Sequence, residues 1–120
     1  MSFFENKEIK ERKKELSLEP NDPAAHFNLG AAYDKAGKLH DAIKEFEATI
    51  KIHPNSAEAH FNLGVLYESV NQGEKAIVHI LKAGNLFGDK NDAVNKMESR
   101  RLLKEFYRKF GFKPEDMIDS

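Results

Sequence analysis

The chain has 120 residues, of which 40% are hydrophobic and 32% charged, with a net charge of −1 and no cysteine. That length fits one domain with a modest core, and the near-neutral charge gives no global field to draw the chain to nucleic acid or a membrane. The lack of cysteine excludes disulfides, thiol catalysis and cysteine-ligated zinc, and no run approaches the ~18 apolar residues of a membrane-spanning helix. The N-terminus, MSFFENKEIKERKKELSL, does not read as a signal peptide, and the expected location is cytoplasmic.

Residues 4–18 read as a helix in which Ile9, Leu16 and Leu18 stand among charges of both signs, the mark of a solvated face. Residues 23–56 read as two helices. Pro23 suits a first helical position, where its missing N–H costs nothing. Leu29 and Tyr33, at i,i+4, share one face, and Ile43, Phe46 and Ile50 make a second stripe. Between them lies KAGKL, whose Gly37 can take the left-handed conformation that ends a helix. Pro54 closes the segment.

Residues 57–88 repeat this plan. AHFNLG stands at 25–30 and again at 59–64, and aligning 23–56 with 57–90 gives nine identities at a period of 34. Besides that hexapeptide they are Tyr33/Tyr67, Ala42/Ala76 and Ile43/Ile77. Asn71 stands in for Gly37, Ile80 for Phe46 and Gly88 for Pro54. The same shift pairs Ile9 with Ile43, Leu16 with Ile50 and Leu18 with Ile52, so residues 4–18 match the second helix of a unit whose first is absent.

Residues 89–110 read as one long helix, capped by Asp89 or Asn91 and ended by Gly111, with 111–120 as a tail. Leu103, Phe106, Tyr107 and Phe110 form a stripe expected to cover Ile77, Ile80 and Leu81, while Val94 and Met97 lie on a rotated face. Residues 90–113 hold eight Lys or Arg against three acids, a net +5 with interleaved aromatics. RNA binding could use that mixture. The aromatic spacing is core spacing, however, and favours a capping helix.

A 34-residue helix–turn–helix unit with Leu29-Gly30, Tyr33, Ala42, Phe46 and Pro54 resembles the tetratricopeptide repeat. The resemblance covers residues 23–88, with His26 and His60 where the family usually has Trp. It implies an all-α fold: antiparallel helix–turn–helix repeats stacked in a short right-handed solenoid, with flanking N- and C-terminal helices, as a single domain over 1–120. Gly30, Gly64, Ala42 and Ala76 would then permit close helix contact, which a larger side chain would overpack.

The five histidines, 26, 40, 53, 60 and 79, show no HExxH spacing, and there is no GxSxG and no glycine-rich phosphate loop. No catalytic residue, metal or cofactor is expected, and the chain does not read as an enzyme. The resemblance implies instead that the first helix of each unit lines a concave face, at Ala24, Phe27, Asn28, Ala31, Asp34 and Lys35 in one unit. In the other, the positions are Glu58, Phe61, Asn62, Val65, Glu68 and Ser69. The expected peptide-binding groove comprises Phe27, Asn28, Ala31, Lys35, Phe61, Asn62, Val65 and Glu68. The Asn28 and Asn62 amides, each donor and acceptor, would grip an extended backbone. The family's clamp for a terminal carboxylate is disfavoured, because Phe27 and Ala31 stand where cations would be needed. The expected function is a protein-interaction module, an adaptor or assembly scaffold binding a protein or peptide. The alternatives are a self-associating repeat unit and nucleic-acid binding through the basic helix, the latter disfavoured.

Overall fold

A computed structural model describes residues 3–117, with side chains described from residue 7 to residue 116. The described residues form six α-helices and a short 3₁₀ turn, Pro114–Met117, with no strand among them. The helices are α1 (Phe3–Leu18), α2 (Pro23–Lys35), α3 (Leu39–Ile52), α4 (Ala57–Ser69), α5 (Gly73–Asp89) and α6 (Ala93–Phe110). They divide into two compact units, Met1–Pro54 and Asn55–Ser120.

In the first unit α2 packs against both α1 and α3. Asp22 caps α2, its carboxylate accepting from the Ala24 N–H at 2.9 Å, and Pro23 follows at the first position. Ile9 of α1 is buried with Leu29 and Ala32 of α2, and Leu16 and Tyr33 pack beside them. Leu18 is exposed, as is Ile52 in the matching position of α3, so that pair contributes nothing to a core. On α3, Ala42, Ile43, Phe46 and Thr49 are buried. Thr49 takes the inward position expected of Ile50, and its hydroxyl donates to the Glu45 carbonyl at 2.9 Å, satisfying a polar atom in the core.

The second unit repeats the hairpin in α4 and α5 and adds α6. Ser56 caps α4 by accepting from the Ala59 N–H at 3.2 Å. Ala57, Ala83, Leu86 and Phe87 form a buried cluster on which Phe61 rests. Leu63, Ala76, Ile77 and Ile80 are fully enclosed. The glycine at the Leu-Gly step is a steric necessity here. A Cβ on Gly64 would overlap Ile80 and approach the Ala76 carbonyl at 3.2 Å, whereas on Gly30 it would meet the Phe46 ring at 3.1–3.2 Å.

One turn design closes α2, α4, α5 and α6. Gly37, Asn71, Asn91 and Gly111 all have positive φ, between 59° and 78°. In each case the next N–H reaches back over the helix end: Lys38 to the Tyr33 carbonyl, Gln72 to Tyr67, Asp92 to Phe87 and Phe112 to Tyr107, at 2.8–3.1 Å. This corrects the expected start of the last helix. Asn91 ends α5 instead of capping α6, Asp89 is the last residue of α5, and the cap of α6 is Asp92, which accepts from the Asn95 N–H at 3.1 Å. The physical cause is Gly88 in place of proline. Nothing stops α5 at the position where Pro54 follows α3, so α5 runs on and reverses through a left-handed asparagine.

The α6 helix covers α5 much as its stripe predicts. Phe106 and Ser99 are buried, Phe110 lies over Gly73 so closely that a Cβ there would overlap its ring, and Ser99 meets Gly84. Ile77 and Ile80 are thereby sealed, but Leu81 remains exposed beside a cleft. Val94 and Met97 point into solvent.

Candidate functional site

The expected binding positions lie on α2 and α4. On α2, Ala24, Asn28, Ala31 and Lys35 are exposed at helical spacing, while Phe27 is half-buried with its ring edge-on to Phe46, centroids 5.2 Å apart. The Asn28 amide has no hydrogen-bond partner among the described residues, and Lys35 Nζ lies 3.6 Å from the Glu8 carboxylate of α1. On α4, Glu58 and Val65 are exposed and Asn62 is half-buried. Phe61 packs edge-on to Phe87 with centroids 6.4 Å apart. Glu68 is held by Lys109 of α6, the ammonium donating to its carboxylate at 2.7 Å. Each helix thus presents a half-buried aromatic beside an asparagine.

The Lys109–Glu68 pair escaped sequence reasoning, because 41 residues separate its members and neither belongs to a motif. So did the partners of the two repeated histidines. In the first unit His26 bridges elements: Nδ1 is 2.9 Å from the Glu45 carboxylate and Nε2 is 2.8 Å from the Pro20 carbonyl. In the second unit the position of Glu45 is taken by His79. The His60 and His79 Nδ1 atoms are 3.0 Å apart, with the rings stacked at 5.2 Å. Two imidazoles can share that contact only if one Nδ1 carries the proton and the other is bare. The Tyr67 ring stacks on the other side of His79 at 5.5 Å, and Lys75 sits 5.4 Å from the Tyr67 ring centre. Burial first, then His60 and Lys75, press the His79 pKa down to about 4. The stacked His60, His79 and Tyr67 rings pack α4 against α5, and among the described residues no third His, Cys, Asp or Glu joins the two histidines.

A tetratricopeptide repeat model matches residues 13–44, and a second, described as TPR repeat, matches residues 33–71. Among solved structures, a crystal structure of MamA superposes with a TM-score of 0.64 at 21% identity, over 89% of this chain and 71% of that one. MamA 41-end from Desulfovibrio magneticus RS-1 gives a TM-score of 0.62 at 25% identity, over 88% of this chain and 67% of the other. No curated protein matches the chain by sequence. No helix among the described residues is long and apolar enough to cross a membrane. Two helical hairpins, each built on a Leu-Gly step and closed by the same left-handed turn, thus carry the tetratricopeptide repeat pattern, with the repeat models matching within residues 13–71.

Proposed function

We propose that the chain is a protein-interaction module in which the exposed face of α2 in the first unit and that of α4 in the second each contact an extended segment of a partner protein. The observation that carries this reading is the recurrence of one exposed-to-half-exposed asparagine, Asn28 and Asn62, beside one half-buried phenylalanine on the first helix of each hairpin. Neither amide is engaged by another described residue. An amide left unpaired at a surface can donate to a peptide carbonyl and accept from its N–H. Phe27 and Phe61 supply apolar area beside it, with Ala31 and Val65 as small neighbours that keep the face open. Lys35 and Glu68 flank it, each already paired within its own unit, which makes them adjusters of affinity and the amides the anchors. The proposed setting is the cytoplasm, in keeping with a cysteine-free chain.

The test is the double substitution Asn28→Ala with Asn62→Ala, assayed against a partner segment identified by cross-linking. Helical circular dichroism should be unchanged. Each lost neutral hydrogen bond should weaken binding by roughly 0.5–1.5 kcal/mol. Unchanged affinity would place the binding surface elsewhere.

A further inference from the structure

We infer that the cleft between α5 and α6 is a second docking site, separate from the faces of α2 and α4, and that it takes an acidic amphipathic helix of a partner protein. The cleft encloses about 130 Å³. That is the scale of the ~150 Å³ engineered cavity that accepts a benzene ring, so one leucine or phenylalanine side chain is the right size of anchor. Ile80, Leu81, Gly84 and Leu103 form its apolar lining, and Lys96 and Arg100 stand on its α6 side. Gly84 opens the space, for α6 approaches it through the small Ser99.

The two edges differ in character, and the difference defines the occupant. Along α5 the edge is uncharged: Leu81, 38% exposed, lines the cleft with Asn85 one turn on, and Val78, 39% exposed, precedes Leu81 by one turn outside the cleft. Along α6 the edge is cationic. Lys96, Arg100, Lys104 and Arg108 recur every four residues, and none has a carboxylate within 4 Å among the described residues. The two α6 glutamates do not neutralise that row, because both Glu98 and Glu105 are bound to Arg101. The remaining cation, Lys109, is bound to Glu68. A ligand matching both edges carries an apolar stripe beside an acidic stripe at the same four-residue interval, which is an amphipathic helix. Polynucleotide would satisfy the cations but leave the Val78–Leu81 edge and the apolar cleft in water.

The experiment is an NMR titration of the full-length protein with a short synthetic helix carrying leucine and glutamate on adjacent stripes. Three probes serve as controls: the same peptide with lysine for glutamate, the same peptide with alanine for leucine, and an oligouridylate. The acidic leucine peptide should shift the amide signals of Leu81, Gly84, Asn85, Arg100 and Leu103. The lysine and alanine peptides should bind roughly tenfold more weakly or worse. Arg100→Glu with Lys104→Glu, and separately Leu81→Glu, should each cause a loss of similar size; all three residues are exposed, so the fold should survive. The proposal is overturned if the lysine peptide binds equally well, or if the shifts fall on α2 and α4, which would favour the other face. Oligouridylate binding that survives Leu81→Glu would overturn it in favour of nucleic acid. Shifts of the same amides on raising protein concentration alone would assign the cleft to a second copy of this chain.

Discussion

The two hairpins answer the same sequence pattern with different chemistry at the contact between their helices. In the first, α3 presents Phe46 and Glu45: the ring lies across Gly30 and the carboxylate holds His26. In the second, α5 presents Ile80 and His79: the aliphatic chain presses on Gly64 and the imidazole meets His60. A shared backbone plan therefore tolerates exchange of an aromatic for a branched aliphatic side chain, and of an ionisable acid for a base. The cost of each exchange falls on the partner across the contact. Phe46 leaves Gly30 a margin that Ile80 denies Gly64.

The sharpest break in that comparison is Phe46→Ala. The ring is fully buried between α2 and α3, and its loss should destabilise the first unit by roughly 3–5 kcal/mol. Hydrogen exchange of α3 amides should rise before that of α5. Next is Gly64→Ala, expected to cost roughly 1–3 kcal/mol through overpacking on Ile80. Gly30→Ala should stay close to neutral, because the flexible edge of a tight contact is offset by a helix propensity gain of roughly 1 kcal/mol. Melting curves of the two variants test the contrast, and adding Ile80→Ala to Gly64→Ala should lower its penalty relative to Ile80→Ala alone.

Acid should separate the units in a further way. His79 has its pKa pressed to about 4, against 6.5 for a free imidazole. Between those values the unfolded chain binds the proton and the folded chain does not. Stability is therefore greatest above about pH 6.5 and falls as pH drops towards 4. Partial exposure of the ring reduces the full effect to roughly 1–2 kcal/mol. The variant His79→Glu recreates the His–carboxylate pair of the first unit and should abolish this acid loss, which denaturant titration across that pH range would measure. Smallest are the caps: Asp22→Ala and Ser56→Ala should each cost about 1 kcal/mol. Equal melting shifts would show that a carboxylate and a hydroxyl serve alike at these two helix starts.

Much of the fold was legible because the repeat duplicates its punctuation. AHFNLG, Tyr33/Tyr67 and the Gly37/Asn71 turn mark where each hairpin starts and where it reverses: α2 and α4 begin at Pro23 and Ala57, and the chain turns at Gly37 and Asn71. The start of α6 was harder to read. Asn91 is equally good as a helix cap and as a left-handed terminator, and only the backbone hydrogen bond from Asp92 to Phe87 decides between them. Contacts that join unrelated positions left no pattern at all: His60 with His79, and Glu68 with Lys109, depend on which helices meet. The stripe on α6 was readable as core spacing, yet Ser99 in the buried row was missed because a serine signals burial only when a glycine faces it, as Gly84 does. For the binding faces, the exposure of Asn28 and Ala31 followed from their offset to Leu29, whereas the engagement of Glu68 did not.

The left-handed turn at Asn91 has a consequence for how this chain can grow. The cap of α4 is Ser56 and that of α6 is Asp92, a spacing of 36 where the repeat demands 34. The surplus lies in α5, which has 17 residues against 14 for α3, and not in α6. Counted from the caps Asp22, Ser56 and Asp92, the buried Leu29, Leu63 and Ser99 stand at the same place in α2, α4 and α6. Each first helix thus takes its phase from its own cap, and a second helix can lengthen by a few residues without turning the helix that follows it.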